Sequence, residues 1–209
     1  MNKPAVIGIG CLAAVALFVL VLGMALMGAY NGLVQKDQAV SAQWAQVQNV
    51  YQRRADLVPN LVATVQGAAN FEKSTLTEVT DARARVGQVA LPQGATPTQE
   101  QLNQFQQAQG QLGGALSRLL VVSEKYPELK ATENFRDLQA QLEGSENRIA
   151  VERERFNTVA QNYNTALRSF PNVLYAGMFG FKERPYFAAA AGAETAPKVN
   201  FDFDKKSQP

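Results

Sequence analysis

The chain has 209 residues, of which 46% are hydrophobic and 18% are charged, enough for one domain of ordinary size beside a membrane segment. Its 20 basic and 18 acidic side chains leave a formal charge of +2, too small a basic excess to attract nucleic acid. Histidine is absent, and the one cysteine, Cys11, lies in an apolar run. This composition argues against zinc sites, thiol catalysis and Ser-His-Asp triads.

The first element is an apolar run of 25 residues, from Ala5 to Ala29. At ~1.5 Å per residue it exceeds the ~30 Å hydrocarbon thickness of a bilayer. A cleaved signal peptide is the rival interpretation, but its apolar region is shorter, roughly 7 to 15 residues. We therefore interpret residues 1–29 as a single-pass transmembrane anchor, with residues 5–29 in the bilayer.

The charges beside this anchor bear on its orientation. Lys3 and the α-amino group precede the run, and Lys36 is the only basic residue after it before Arg53. By the positive-inside rule, this margin of one charge favours an extracytoplasmic body.

A helical seam follows the anchor, because apolar or small residues recur in steps of four and three. Its members are Val40, Trp44, Val47, Tyr51, Val58, Leu61, Val65 and Ala68. The position missing from this series is Arg54, so a guanidinium is predicted on the buried stripe. Arg53 and Asp56 fall on its flank, where they can pair as i and i+3. The next seam position is Glu72, beyond which the stripe shifts to Leu76, and we interpret that shift as drift of the pattern along the helix.

Pro59 lies inside this apolar helix and is predicted to act as a hinge. It removes the backbone hydrogen bond to the Ala55 carbonyl, at a cost of about 3 kcal/mol unless the helix bends or restarts. The freed carbonyl is then available to an arginine side chain nearby.

Residues 91–99 contain two prolines and a glycine and are predicted to form a loop. Thr98 and Gln101 have the spacing of a capping box that opens the next helix. That helix is rich in glutamine, and we expect it to bend near Gly113 and Gly114, since glycine disfavours helix.

A second seam runs for 36 residues, from Phe135 to Phe170, and ends before Pro171. Its members are Phe135, Leu138, Leu142, Ser145, Ile149, Glu152, Phe156, Val159, Tyr163, Ala166 and Phe170. Two of them, Ser145 and Glu152, are polar, and we expect Arg54 to face Glu152, Glu72 or both. Arg54, Glu72, Ser145 and Glu152 would then form a polar seam that fixes helix register, which we favour over a catalytic site.

The segment SENRIAVERERF, residues 145 to 156, is dense in charge. A solvated helix face accounts for most of it, and an interface with a neighbouring subunit is the alternative. The candidate flank or interface residues here are Glu146, Arg148, Arg153 and Arg155.

The aromatic segment after Pro171 is too short to cross a bilayer, and either closes the bundle or touches the membrane surface. We favour closure of the bundle. Residues 188–209 show no periodicity and are predicted to be disordered.

Several separated stretches of the sequence resemble motifs of the LemA family of bacterial membrane proteins and occur in the same order as in that family. They are YNGLV, RRADLVPNLV, FEKSTL, YPELKATENFRDLQAQLEGSENRIAVERERFNTVAQNYN and FPNVLYAGMFGFKERPYF, which together cover about residues 30 to 187. One departure is Phe71, at a position that is often histidine in the family. The resemblance implies an N-terminal transmembrane helix followed by an antiparallel bundle of about four long helices. It also implies a cytoplasmic body, against the charge margin, so the orientation stays open.

The fold class that we predict is therefore all-α, with a transmembrane anchor at residues 1–29, a helical bundle at 30–187 and a tail at 188–209. We expect no enzymatic activity and no cofactor or metal, since the sequence has no phosphate-binding glycine loop and no metal-ligand spacing. The expected function is a membrane-anchored scaffold that forms a homo-oligomer or recruits an unidentified protein. The alternative is a regulatory adaptor for a protease, transporter or envelope stress pathway.

Overall fold

The computed structural model describes residues 3–67, 71–92 and 96–188, with side chains from Leu12 onward. Its helices are α1 (Lys3–Gln66), α2 (Lys73–Gln88), α3 (Gln99–Ser123), α4 (Pro127–Ala131) and α5 (Glu133–Arg168). A 3-10 helix, Asn172–Leu174, follows α5, and there is no strand in the described ranges. The prediction of an all-α fold is confirmed.

Helix α1 serves both as the apolar N-terminal segment and as a bundle helix. It runs for 64 residues without interruption. The large apolar side chains between Leu12 and Met27 are exposed. Helix α1 is long enough, and its N-terminal part apolar enough, to cross a membrane, and we call this N-terminal part the candidate span. The bundle begins at Leu33, which is 1% exposed, so the core is attached directly to the candidate span without a flexible linker.

The long helices pack antiparallel in two pairs. Gln43 and Arg54 of α1 contact Glu152 and Glu146 of α5, so residue numbers fall along α5 as they rise along α1. In the other pair, Arg118 of α3 contacts Glu78 of α2. Helix α4 is a single turn between α3 and α5, so the bundle has four long helices.

The shift in the first seam near Glu72 is a reversal of the chain, and its interpretation as drift along one helix was wrong. Helix α1 ends at Gln66, and α2 begins at Lys73 and runs back along α1. The side chain of Arg83 reaches the backbone of Ala55, which places the middle of α2 beside α1. Ala68, assigned to the seam, is outside the described residues.

Helix α3 begins with the predicted capping box. The Thr98 hydroxyl accepts from the Gln101 amide, and the Gln101 side chain accepts from the Thr98 amide. The helix then runs through Gly113 and Gly114 to Ser123 without a break. Residues 93–95 of the predicted loop lie outside the residues that the structure describes.

The core consists of two apolar clusters along the bundle axis. The cluster nearer the candidate span contains Leu33, Trp44, Tyr51, Phe105, Ile149, Phe156, Tyr163 and Phe187, among others. The distal cluster contains Val58, Leu61, Val65, Val79, Leu112, Leu119, Phe135 and Leu142, among others. Trp44 is 2% exposed and packs edge-on against Phe105 and Phe156, so it belongs to the core.

The chain beyond α5 folds back along the bundle. After the 3-10 helix, residues 181–188 have neither helix nor strand structure, and Phe187 is buried against Trp44 and Phe156. This segment therefore closes the cluster nearer the span. The predicted disordered tail, apart from Ala188, lies outside the described residues.

Candidate functional site

The candidate site is a polar layer between the two apolar clusters, and Arg54 is at its centre. The seam places this side chain toward the core, and it is 4% exposed. Its Nη1 donates to Glu146 Oε1 on α5 at 2.5 Å. Its Nη2 donates to the Gln109 backbone oxygen on α3 at 3.2 Å and to the Gln109 side-chain oxygen. One guanidinium thus bridges three helices.

Three helices supply buried polar residues at this level. Gln109 lies between Phe105 of one cluster and Leu112 of the other, and Ser145 lies between Leu142 and Ile149. The Ser145 hydroxyl donates to the Leu142 carbonyl at 2.7 Å, so its hydrogen bond stays within α5. The layer therefore interrupts the apolar core at one position along the bundle axis, between the two apolar clusters.

Gly113 borders Arg54 on the α3 side. A Cβ atom added at this glycine would lie 3.8 Å from Arg54 Nη1, which is ordinary contact distance. The guanidinium therefore packs directly on the α3 backbone, one turn after Gln109. A groove of about 450 Å³, lined by Tyr51, Glu146 and Arg153 among others, opens beside it.

The expected carboxylate partners of Arg54 were wrong. Glu72 is exposed, and its nearest cation is Lys125 at 3.5 Å, at the end of the bundle away from the candidate span. Glu152 is nearer the span, where it accepts from Gln43 at 2.6 Å and from Arg155 at 2.7 Å. Of the four residues assigned to the polar seam, Arg54 and Ser145 share the layer, whereas Glu72 and Glu152 do not.

The flank residues divide into paired and unpaired groups. Arg53 and Asp56 are exposed but do not pair with each other, because Asp56 accepts from Gln52 at 2.7 Å. Glu146 and Arg155 have the partners given above, and Arg153 donates to the Ala188 carbonyl at 3.0 Å. Within the described ranges, Arg53 and Arg148 have no side-chain hydrogen bond or ion pair.

Pro59 lies within α1, exposed to solvent, and the helix continues through it. As expected, an arginine occupies the freed carbonyl: Arg83 Nε donates to the Ala55 oxygen at 3.1 Å. The lost backbone bond is thereby replaced by a bond between α2 and α1. The role of Pro59 as a hinge stays a prediction.

Burial and nearby charges act on Tyr51, which lies beside the layer, and on Tyr163, which lies nearer the candidate span. Burial raises the pKa of Tyr51, although Arg153 and Arg54 partly oppose this. The Arg54 guanidinium also lies 5.3 Å from the centre of the Tyr51 ring. Burial likewise raises the pKa of Tyr163, with a smaller contribution from Asp37. Both phenols are therefore neutral near pH 7.

A second set of polar contacts holds residues 181–188 against the bundle. Asn164 donates to the Arg184 carbonyl and accepts from the Arg184 amide, each at 2.8 Å. Asn157 pairs in the same way with Phe187, at 3.1 and 2.8 Å. Two helical turns rise ~10.5 Å, and three extended residues span ~10 Å, so the two asparagines match the spacing of the extended chain.

Arg184 also ties this segment to the start of the bundle, since its Nε donates to Asp37 at 2.8 Å. No pattern in the sequence predicted a role for Asp37, Gln109, Asn157, Asn164 or Arg184. The one signal for the asparagines is a polar side chain beside an apolar seam position, as Asn164 is beside Tyr163.

The arrangement is that of an ion pair with hydrogen-bonded neighbours, in which Arg54 Nε is buried and has no hydrogen-bond partner among the described residues. In the part of the chain that the structure describes, no cluster of three or more metal-ligand side chains occurs. Arg54 is occupied by Glu146 and Gln109, so the layer joins α1, α3 and α5 at one register.

A comparison with family models decides the family. The model described as the LemA family matches residues 43–201. The chain belongs to the LemA family. The polar layer and residues 181–188 lie inside the matched range, whereas Asp37 and the candidate span precede it.

Curated relatives agree with this membership. The chain is 28% identical to Magnetosome protein MamQ of Magnetospirillum gryphiswaldense, with 79% of this chain and 67% of the relative covered. It is 27% identical to Magnetosome protein MamQ 2 of Paramagnetospirillum magneticum, with the same shares covered. It is also 21% identical to Protein LemA of Metamycoplasma hominis, with 81% and 75% covered. LemA membership and the apolar N-terminal helix together indicate a membrane-anchored protein.

Proposed function

We propose that this LemA family member is a non-enzymatic scaffold, anchored by a single span in the bacterial inner membrane, that self-associates through its long helical faces. The observation that carries the proposal is the continuity of α1 from the apolar segment into the core. The 37 residues from Tyr30 to Gln66, the end of α1, rise ~54 Å, so the bundle holds helical faces at a fixed distance from the bilayer.

The polar layer supports a structural role over a catalytic one. Its charged pair joins α1 and α5, and hydrogen bonds to the neutral Gln109 add α3, as expected of residues that fix register. An acid or base in catalysis instead needs a free group directed at a substrate. Arg54 is bonded on both terminal nitrogens.

The helix face that we assign to self-association includes Arg148 of α5. This side chain is exposed and unpaired within the described residues, in the charge-dense segment from Ser145 to Phe156. Charged positions beside a helical seam are those that set partner choice in coiled coils.

The test is the mass of the full chain, purified in detergent and measured by light scattering with the detergent subtracted. We expect a discrete homo-oligomer that Arg148→Glu dissociates. Arg136→Glu is the matched control, because Arg136 is an exposed arginine of α5 outside this segment. A monomer that gains mass only with a second protein, crosslinked in intact cells, would instead support the regulatory adaptor.

The orientation that we propose rests on the margin of one charge, which favours an extracytoplasmic body. A cysteine at Val121, which is 68% exposed on α3, reports it in a chain whose Cys11 is replaced by serine. A membrane-impermeant maleimide should label this cysteine in intact cells. Labelling only after lysis would place the body in the cytoplasm.

A further inference from the structure

The chain after α5 carries a group of exposed apolar side chains, which we call the C-terminal apolar patch. Phe170 is 80% exposed and Met178 is 84% exposed, values unusual for large apolar residues. The patch consists of Phe170, Val173, Leu174, Met178 and Phe179. Elsewhere in the described bundle, exposed large apolar side chains are scattered singly, as on most soluble surfaces. A cluster of this kind marks an interaction surface.

The patch lies at the end of the bundle where the candidate span emerges. The Phe179 ring centre is 5.2 Å from that of Tyr30, and the Phe181 ring centre is 5.6 Å from it. Tyr30 directly follows the apolar run that ends at Ala29. About 20 residues cross the hydrocarbon, so the 25-residue run leaves roughly five for the interfacial layer. Tyr30 and Phe179 therefore lie at interfacial depth when α1 spans a bilayer.

The folded segment holds the patch in place. Ala176 is buried in the cluster nearer the span, and Phe181 packs against that cluster. The Tyr163 hydroxyl donates to the Lys182 carbonyl at 3.0 Å, just beyond the patch in the sequence. The apolar side chains are thus presented on a supported loop, which lowers the entropy cost of binding a surface.

The charges beside the patch favour an anionic surface. Arg168 pairs with Glu183, and Arg184 pairs with Asp37, so these four charges compensate one another. Lys36 and Lys182 are exposed and have no ion pair among the described residues. Both lie near the span, where lysine ammonium groups attract the headgroups of anionic lipids.

We propose that the C-terminal apolar patch inserts into the interfacial layer of the same bilayer that holds α1, with Lys36 and Lys182 among anionic headgroups. The bundle then contacts the membrane at two points, the span and the patch. Two contacts restrict rotation and tilt of the bundle, which a single helix would permit. The patch lies beside the span, so the lipid that it meets is the lipid around α1.

The test uses a nitroxide spin label on the full chain in vesicles of phosphatidylcholine with one-third phosphatidylglycerol. The label is attached to Met178→Cys in a chain that also carries Cys11→Ser. Oxygen concentrates in the bilayer, whereas a nickel chelate stays in water, so their relaxation effects measure the depth of the label. We expect a strong preference for oxygen over nickel at Met178→Cys.

The matched control is Val121→Cys, which is comparably exposed but lies at the other end of the bundle. It should show the opposite preference in the same vesicles. A label at Met178→Cys that behaves like the control would overturn the proposal. Equal protection from oxygen and nickel, with broadening between labels, would overturn it in favour of a second copy of the chain on the patch.

The contribution of the lysines is measured with Lys182→Glu in the same labelled chain. We expect the oxygen preference at Met178→Cys to fall at least twofold, and to fall equally when phosphatidylglycerol is omitted. The readout is independent of oligomer mass, so failure of this inference and failure of the scaffold proposal are distinguishable.

Discussion

At the scale of single residues, the most informative feature is the unequal burial of the two partners of one ion pair. The Arg54 side chain is 4% exposed, whereas the Glu146 side chain is 52% exposed. Removal of the arginine leaves a carboxylate that water already reaches. Removal of the glutamate leaves a guanidinium deep between α1, α3 and α5, with hydrogen bonds to Gln109 but no opposite charge.

We therefore predict that Glu146→Ala destabilises the bundle more than Arg54→Met does. An uncompensated buried charge costs about 3 kcal/mol, the lower end of the usual range, because Gln109 still accepts from Arg54. The Arg54→Met change loses hydrogen bonds but fills the space with an apolar chain, at about 1 kcal/mol. The free energy of unfolding of the full chain in detergent, from urea titration followed by circular dichroism, measures both.

A surface pair provides the control for this comparison. Glu78 pairs with Arg118 at 2.8 Å with both side chains exposed, so Glu78→Ala should change stability by less than ~0.5 kcal/mol. If Arg54→Met proved as costly as Glu146→Ala, the uncompensated charge would not be the main cause of the destabilisation.

The sequence predicted the burial of Arg54 but not its partner. The spacing of residues along a seam predicts which Cα atoms lie on the buried face of a helix. Arg54 and Ser145 lie where this spacing predicts. Glu146 is one position off the second seam, and its long side chain reaches sideways to the guanidinium. Reach of this kind depends on side-chain direction, which spacing alone does not give.

At the scale of helices, α2 supplies a hydrogen-bond donor that Pro59 removes from α1. Proline removes the amide that would have bonded to the Ala55 carbonyl. Arg83 of α2 supplies the missing donor, at 3.1 Å. The defect in α1 is thus also an attachment point for α2.

We predict that Pro59→Ala and Arg83→Met are coupled. Pro59→Ala should raise the free energy of unfolding by about 1 to 2 kcal/mol, less than the full ~3 kcal/mol cost of an interior proline, because Arg83 already compensates in part. Arg83→Met should cost about 1 kcal/mol in the natural chain and roughly half of that in the Pro59→Ala chain, where the new backbone amide satisfies the Ala55 carbonyl. A double-mutant cycle of urea titrations measures the coupling.

Arg85 is the control for this cycle, since its side chain is exposed and, among the described residues, forms a hydrogen bond with Gln111 of α3 and none with α1. Arg85→Met should add to Pro59→Ala without coupling. Additivity of Arg83→Met as well would show that the contact to Ala55 does not compensate for the proline.

The chain reversal between α1 and α2 marks a limit of periodicity at this scale. A phase shift in an apolar stripe looks the same whether a helix drifts or a turn intervenes. After Phe71, apolar residues continue to recur at helical spacing. The return of α2 along α1 is set by the packing of Leu76 and Val79 in the distal cluster.

At the scale of the whole molecule, the last described residues complete a core that begins at Leu33. The extended segment 181–188 has no periodicity, so the sequence indicated only an aromatic segment that closes the bundle or meets the membrane. Its position depends on backbone groups of Arg184 and Phe187, which carry no sequence signal, paired with the asparagines of α5.

We predict that Asn164→Leu releases this segment while the helices persist. Three hydrogen bonds to the segment are lost, two to the Arg184 backbone and one to the Tyr186 hydroxyl, at about 1 kcal/mol each. The open population then rises roughly 150-fold, and trypsin cleavage after Lys182 should accelerate by the same factor when opening is fast. The rate of appearance of the truncated chain on a gel measures this.

Asn162→Leu is the matched control, since Asn162 is an exposed asparagine two residues away on the same helix. Its cleavage rate should equal that of the natural chain. Equal rates for Asn164→Leu and the natural chain would mean that other contacts, such as Arg184 with Asp37, suffice to hold the segment.

The contact between Asp37 and Arg184 also sets an order of events during synthesis. These residues are 147 positions apart, so at ~5 to 20 residues per second the ribosome delivers the arginine about 7 to 30 s after the aspartate. Throughout this interval the nascent chain has an anchor but no closed core. The apolar segment is therefore available to the membrane insertion machinery well before the bundle becomes protease-resistant, and a chain released early would leave Trp44 without Phe187.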